Sequence, residues 1–336
     1  VLFRSGLGIV VSTALRTLAP RLAAGALDLP RVEAVARPGA LHGLSQGRFE
    51  PREELTQVSQ EWARLAAAQK GLTASGFLLV LDDGRYAQLQ SDLPQPAASS
   101  IKSPILLIGL EDLDRGKVRW DEPLSLTQEV KAEGAGWMAN KPLGTRFPFF
   151  EAATEMIRVS DNSATNLLIK RLGGKAAVNA RFQSLGLSAT VLNDWLPDLK
   201  GTNTTSARDL ARTIALVDTG ETLSPRARDL YREILAKSKT NTLIPAGLLK
   251  GLGKSAEVSG GDPDDDLLAA GITALNKTGD IGIAYADAAL IELPSGQRAV
   301  AAFMVKGPFN DPRSGDLIRA MAASVSRTLL AGDRKP

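Results

Sequence analysis

The sequence predicts an α+β fold: an antiparallel five-stranded sheet flanked by helices from both ends of the domain, with an all-helical lobe inserted in the sheet layer. Three observations predict it. Strand patterns occur early, in GFLLVLDDGRYAQLQ, and again late, in ITALNKTG, AYADAALIEL and RAVAAFMVKG. Between them lies a long run of apolar stripes at helical spacing. Amphipathic helices open and close the domain, so a sheet built from distant segments is covered by both ends of the chain.

Taken in order, residues 1–50 read as an N-terminal tether with scattered Gly and Pro and weak periodicity. No methionine opens the chain, so its true start is expected upstream. The run GLGIVVSTAL, followed by Arg16 and Arg21, is too short to span a bilayer. It fits either the tail of a truncated signal or membrane anchor, or an ordinary apolar arm. The folded domain is expected over 51–336. Glu53 and Glu54 favour a helix start, and Leu55, Val58, Trp62 and Leu65 recur at helical spacing. A hairpin turning at Asp83-Gly84 follows.

The lobe is expected over about 100–270. SPILLIGLEDLDRG, FFEAATEMIRVS, SATNLLIKRLGG, AVNARFQSLGL and ARDLARTIALVDTG each carry an apolar stripe, and several stop at glycine, as helix C-termini do. Gly173-Gly174 belongs to such a stop and shows no phosphate-loop pattern. Pro225 opens a further helix. Pro294-Ser295-Gly296 turns between the last two strands, and GDLIRAMAASVSRTLL closes the domain.

Composition narrows the chemistry. The 336 residues carry a net charge of +3, which gives little support for nucleic-acid binding. There is no cysteine, which removes thiol nucleophiles, thiolate metal sites and disulfides. The single histidine, His42, sits in the Gly/Pro-rich connector RPGALHGLSQG. A hydrolytic site here needs a base other than histidine.

Ser99-Ser100-Ile101-Lys102 offers one. Residues at i and i+3 share a helix face, so Lys102 can aim its amine at the Ser99 hydroxyl. Serine needs such a base to act as a nucleophile. The lysine pKa must fall by ~3 units from ~10.4, a differential cost of ~4 kcal/mol. Burial and a second cation both push that way. By itself the spacing is equally a helix start with an exposed lysine. Ser160-Asp161-Asn162 alone reads as a capping turn, and Lys277-Thr278-Gly279 as a surface turn.

In this order and spacing, the three motifs resemble the set found in class A β-lactamases and penicillin-binding proteins. PLGTRF, NTTSARDLARTI and TNTLIPAGL extend the resemblance across roughly residues 50–330. It implies the β-lactamase/DD-peptidase fold and a serine hydrolase that acts through an acyl-enzyme. Ser99 matches the acylated nucleophile and Lys102 the amine that activates it. Ser160 matches the hydroxyl that relays a proton to the leaving nitrogen. Asn162 matches the amide that binds the substrate's side-chain amide. Lys277 and Thr278 match the pair that receives the substrate carboxylate. The oxyanion hole falls to the backbone N–H groups of Ser99 and Asp280, with Gly279 letting the strand pass closely.

The sequence departs from the family in two places. The family's E-P-x-L-N loop, which holds the deacylating water, appears here as LNDWLPDLKG. Pro197 and Leu199 hold the register, so Leu196 takes the glutamate position and Lys200 the asparagine position. Neither can act as the base. Asp194 and Asp198 read as solvated loop carboxylates, with substitution for the base as the alternative. Asp280, after K-T-G, is expected to repel a penicillin carboxylate, and AYADAALIEL has no arginine to offset it. A neutral or cationic acyl donor suits these features better.

GGDPDDDLL reads as an exposed acidic loop without calcium-loop spacing. GAGWM either lines the cleft or forms a turn with a buried Trp137. The expectations are thus acylation of Ser99 by a β-lactam or related amide or ester, with slow release. The alternatives are a non-turnover penicillin-binding sensor, or a DD-peptidase or esterase acting on peptidoglycan-like substrates. No cofactor or metal is required. The partner is a small-molecule or peptidoglycan-like substrate, the protein a monomer, and its location extracytoplasmic.

Overall fold

The computed structural model describes residues 49–254 and 262–333. The expected tether, its apolar run and His42 lie outside the described residues, apart from the last two positions of the tether. Among the described residues, no helix is long and apolar enough to cross a membrane.

The expected five antiparallel strands are present, joined by a short sixth. The sheet runs β1 (Glu53–Glu54), β3 (Arg85–Leu89), β2 (Thr73–Val80), β10 (Arg298–Lys306), β9 (Ala284–Glu292), β8 (Thr273–Asp280). Only β1 is parallel to its neighbour, pairing Glu53 with Arg85. It replaces the expected helix start. Arg52 N donates to Gly84 O and Leu55 N to Tyr86 O, which holds this segment along the hairpin edge. The helix α1 therefore begins at Thr56 and runs to Ala67. Two exposed glutamates on an edge strand also discourage further pairing.

The strand β10 reads as a continuous apolar run because it is buried on both faces. Ala299, Ala301, Phe303 and Val305 point to one side, into a core with Trp62 of α1 and Val325 of α10 (Pro312–Asp333). Val300, Ala302 and Met304 point to the other, against α6 (Ala207–Asp218). The period of two along a strand produces this division. Gly76 on β2 makes room for Phe303; a Cβ there would lie 2.9 Å from the ring.

A second core fills the lobe around α2 (Lys102–Asp114), whose residues 102–112 are all buried. α3 (Phe149–Arg158), α4 (Asn162–Arg171), α5 (Gly174–Ser184) and α7 (Pro225–Leu235) complete the lobe. Two small ribbons, β5 (Pro123–Ser125) with β6 (Arg146–Pro148) and β4 (Gln95–Pro96) with β7 (Thr204–Thr205), tie its connections. The helix α6 joins the layers: Leu210 and Ile214 face the sheet, and Leu216 and Val217 face the lobe. Two segments that fall within the range expected for the lobe belong to the sheet side, and the second is a helix with a buried Leu267 where an exposed acidic loop was expected. α8 (Ile244–Gly251) and α9 (Pro263–Ala269) contribute Ile244, Leu248 and Leu267 to the core containing Trp62.

Candidate active site

Ser99 lies in a single 3-10 turn, Ala98–Ile101, immediately before α2. In a 3-10 turn, side chains at i and i+3 eclipse, which aligns Ser99 with Lys102 more closely than an α-helix would. The preceding residue, Ala98, has φ +47°, and Ser160 has φ +59°. Two non-glycine residues in the left-handed region beside one site each cost on the order of 1–3 kcal/mol.

Lys102 is fully buried and its Nζ has four oxygen neighbours. Ser160 O lies at 2.6 Å, Ser99 Oγ at 2.9 Å, and Ser160 Oγ and Asn162 Oδ1 at 3.0 Å. Burial holds the amine well below its ordinary pKa, and the nearby charge of Lys277 pushes it down further. A neutral amine has two N–H groups. The Ser160 carbonyl and the Asn162 amide oxygen can only accept, so they take both. The lone pair then faces the two hydroxyls. This arrangement can withdraw a proton from Ser99 and pass one to Ser160.

Lys277, on the edge strand β8, is also buried, and burial lowers its pKa to about 8; Asp287 on β9 opposes the shift. Its Nζ donates to Thr278 O at 2.6 Å. Asp287 is fully buried, and burial raises its own pKa to about 7. It accepts from Ile244 N at 2.8 Å and from Asn276 Nδ2 at 2.9 Å. Asn276 Nδ2 and Thr278 Oγ1 both reach Thr240 O, at 2.8 and 3.3 Å. A buried polar network thus fixes the strand that carries Lys277 and Thr278.

Gly279 passes the Ser99 turn at close range. A Cβ here would lie 2.6 Å from Ser100 N and 2.8 Å from Ser99 N. Asp280 follows with an exposed side chain, whose Oδ1 accepts from Gly282 N at 2.7 Å. A cleft of about 300 Å³ opens beside Ser99, with Asn162, Glu133, Leu196, Asp198 and Asp280 on its walls. An adjoining depression of about 290 Å³ is lined by Thr278, Asp280, Tyr285 and Arg319. The eight residues singled out by sequence are therefore gathered around one cleft.

A model of the "Beta-lactamase enzyme family" matches residues 57–329. The chain belongs to that family. It is 31% identical over 245 residues to a β-lactamase of Streptomyces albus G, covering 69% of this chain and 76% of that protein. The structure of PBP-A superposes with a TM-score of 0.76 at 41% identity, over 84% of this chain and 99% of that one. An ancestral class A β-lactamase gives 0.68 at 25%, over 82% and 100%.

Within this β-lactamase-family site, three further residues escaped the sequence reading. Asp161 caps α4 through Ala164 N at 2.9 Å and also accepts from Trp137 N and Met138 N, at 2.6 and 2.8 Å. It anchors the GAGWM wall of the cleft, where Trp137 is half-buried with its indole donating to Glu155. The capping-turn reading of S-D-N was the available signal. Asp287 was signalled by an acid in the middle of the otherwise apolar run over residues 284–291. Asn166, inside an apolar helix stripe, gave none; it brackets Leu196, accepting from Leu196 N at 3.0 Å and donating to Leu196 O at 2.8 Å.

The loop departures are located as well. Leu196 is buried and packs in the lobe core, while Lys200 is exposed. Asp194 is exposed, as expected. Asp198 is not: it is buried, and its carboxylate accepts from Asn203 N at 2.6 Å and Thr202 Oγ1 at 3.1 Å. It holds the loop's turn instead of facing solvent. In the acidic stretch, Asp262 caps α9 and accepts from Asn241; residues 260–261 lie outside the described residues.

Proposed function

We propose that this protein is a penicillin-recognising serine hydrolase that forms an acyl-enzyme on Ser99 and releases it slowly. The observation that carries the reading is the buried Lys102 amine, within 3.0 Å of both the Ser99 and Ser160 hydroxyls. Neutral Lys102 takes the Ser99 proton as Oγ attacks the substrate carbonyl carbon. The carbonyl electrons move onto oxygen, held by the N–H groups of Ser99 and Asp280. The oxygen lone pair then re-forms the carbonyl and the C–N bond breaks. Ser160 delivers its proton to the departing nitrogen and regains one from Lys102. Lys277 and Thr278 hold a carboxylate on the leaving side, and Asn162 an amide on the acyl side.

Hydrolysis of the ester then needs a base for water. Leu196 occupies the position where the family has glutamate and cannot accept a proton. The loss of a general base commonly costs ~10²–10⁴ in rate. A leucine-to-glutamate variant of PBP-A is described as an acyl-enzyme complex with penicillin G, which supports β-lactam acylation on this fold. The same chemistry fits a peptidoglycan-like peptide as donor, and such a substrate places the protein outside the cytoplasm. A penicillin-trapping sensor is the second reading, favoured by Leu196 and the exposed Lys200 together.

Incubation with penicillin G followed by intact-mass measurement tests the proposal. One adduct is expected on the wild type and none on Ser99→Ala. The adduct should persist for many minutes, and Leu196→Glu should shorten its lifetime. An adduct on Ser99→Ala, or none on the wild type, defeats the reading. Release of free enzyme at β-lactamase rates excludes the trap.

A further inference from the structure

The two sides of the cleft differ in charge. On the side that holds Asn162, the walls are apolar through Leu196, Pro197, Leu199 and Ile281. Every ionisable side chain on those walls is a carboxylate: Glu133, Asp198 and Asp280, with no lysine or arginine among the lining residues. Their states differ. Both Asp198 oxygens accept hydrogen bonds within the loop. Asp280 uses one oxygen on Gly282 N. Glu133 is exposed, and among the described residues only its backbone is engaged, its carbonyl accepting from Asn162 Nδ2 at 3.0 Å.

The other side shares Asp280 with the first but also holds the cations of the site. Lys277 stands behind Thr278, and Arg319 of α10 lines the adjoining depression, donating to Thr242 O at 3.1 Å and to Asp316 at 2.7 Å. A bound molecule therefore meets positive charge on its leaving side and negative charge around an apolar floor on its acyl side. Opposite charges across a recognition surface attract, and like charges repel, most strongly where water is excluded.

We infer that the acyl-side subsite selects donors that are apolar and bear an ammonium group near the scissile carbonyl, with Glu133 as a specificity-determining residue. This deepens the proposed function and rests on it. The substrate class is a peptide or β-lactam whose acyl portion carries an amine and whose leaving portion carries a carboxylate. A donor with a carboxylate on the acyl side is disfavoured. Glu133 suits the role because its side chain is at the rim, makes no hydrogen bond among the described residues and can turn toward a bound cation. Its substitution leaves the backbone carbonyl that positions Asn162 in place.

Three penicillins with one nucleus test this: the phenylacetyl compound and its α-amino and α-carboxy analogues. Their second-order acylation rates are measured below pH 7, at low and high salt, by competition with a fluorescent penicillin. The α-amino compound is expected to acylate about tenfold faster than the α-carboxy compound, equivalent to ~1.4 kcal/mol. The gap should narrow in high salt. Glu133→Gln should narrow the ratio of the α-amino to the α-carboxy rate severalfold, and Glu133→Lys should reverse it. Equal rates across the series, or preference for the carboxylate, overturn the inference while leaving the acyl-serine reading intact. If none of the three acylates Ser99, the proposed function falls and takes the inference with it.

Discussion

Lys102 and Lys277 are both buried, and the charge of Lys277 makes a charge on Lys102 more costly. The surroundings break the symmetry. Asp287 faces only the Lys277 side, pulls its pKa upward against burial and leaves it at about 8, whereas Lys102 is driven well down. One amine is thus suited to accept a proton and the other to remain an ammonium at neutral pH. The sign gives a pH prediction. Lys277 is charged below about 8 and neutral above it, so acylation by a carboxylate-bearing penicillin should fall as pH rises through that value. Asp287→Asn removes the anion that raises the Lys277 pKa, and the alkaline limb should move to lower pH. A limb that stays in place, or moves upward, in a pH-rate profile of the two proteins contradicts the assigned coupling.

At the scale of elements, the catalytic geometry depends on an edge strand touching a 3-10 turn. Much of this was legible in the sequence. Short strand-like runs bounded by turn residues marked β8, β9 and β10, glycines marked helix ends, and three short motifs marked the residues that converge. What was not legible depends on partners remote in sequence. Glu53 and Glu54 pair with the hairpin edge, the Asp198 carboxylate is consumed by its own loop, and α8 finds its core against α10. None of these follows from local pattern, because propensity yields to tertiary hydrogen bonding and burial. The contact between β8 and the turn is the most exposed to test. Gly279→Ala places a methyl within 2.6–2.9 Å of the backbone of Ala97, Ser99 and Ser100. Backbone cannot rotate away as a side chain can, so the strand must retreat. Acylation should fall by about 10² or more, since ~1 Å of misplacement carries that cost. An unchanged acylation rate in a folded Gly279→Ala protein means that the strand and the turn do not need this contact.

For the whole molecule, the cleft needs the lobe and the sheet held in a fixed relation, and α6 is the element between them. Its last residue, Asp218, is almost fully buried and accepts from Arg232 of α7 at 2.8 Å and from Arg298 of β10 at 2.6 Å. Arg232 also pairs with Glu292 of β9. One carboxylate therefore ties two helices to two strands, with hydrogen bonds made to a charged group in a partly dry setting. Asp218→Ala leaves two guanidinium groups facing each other without their shared anion. Both are about 30% exposed, so solvent screens part of the loss and about 1–3 kcal/mol is expected. For a domain of this size that is roughly 3–10 °C in Tm. The network shares no residue with the cleft, so the acylation rate per folded molecule at 25 °C should be unchanged while the thermal midpoint drops. A variant that acylates tenfold more slowly with an unaltered Tm points to Asp218 as part of the catalytic apparatus and not of the brace.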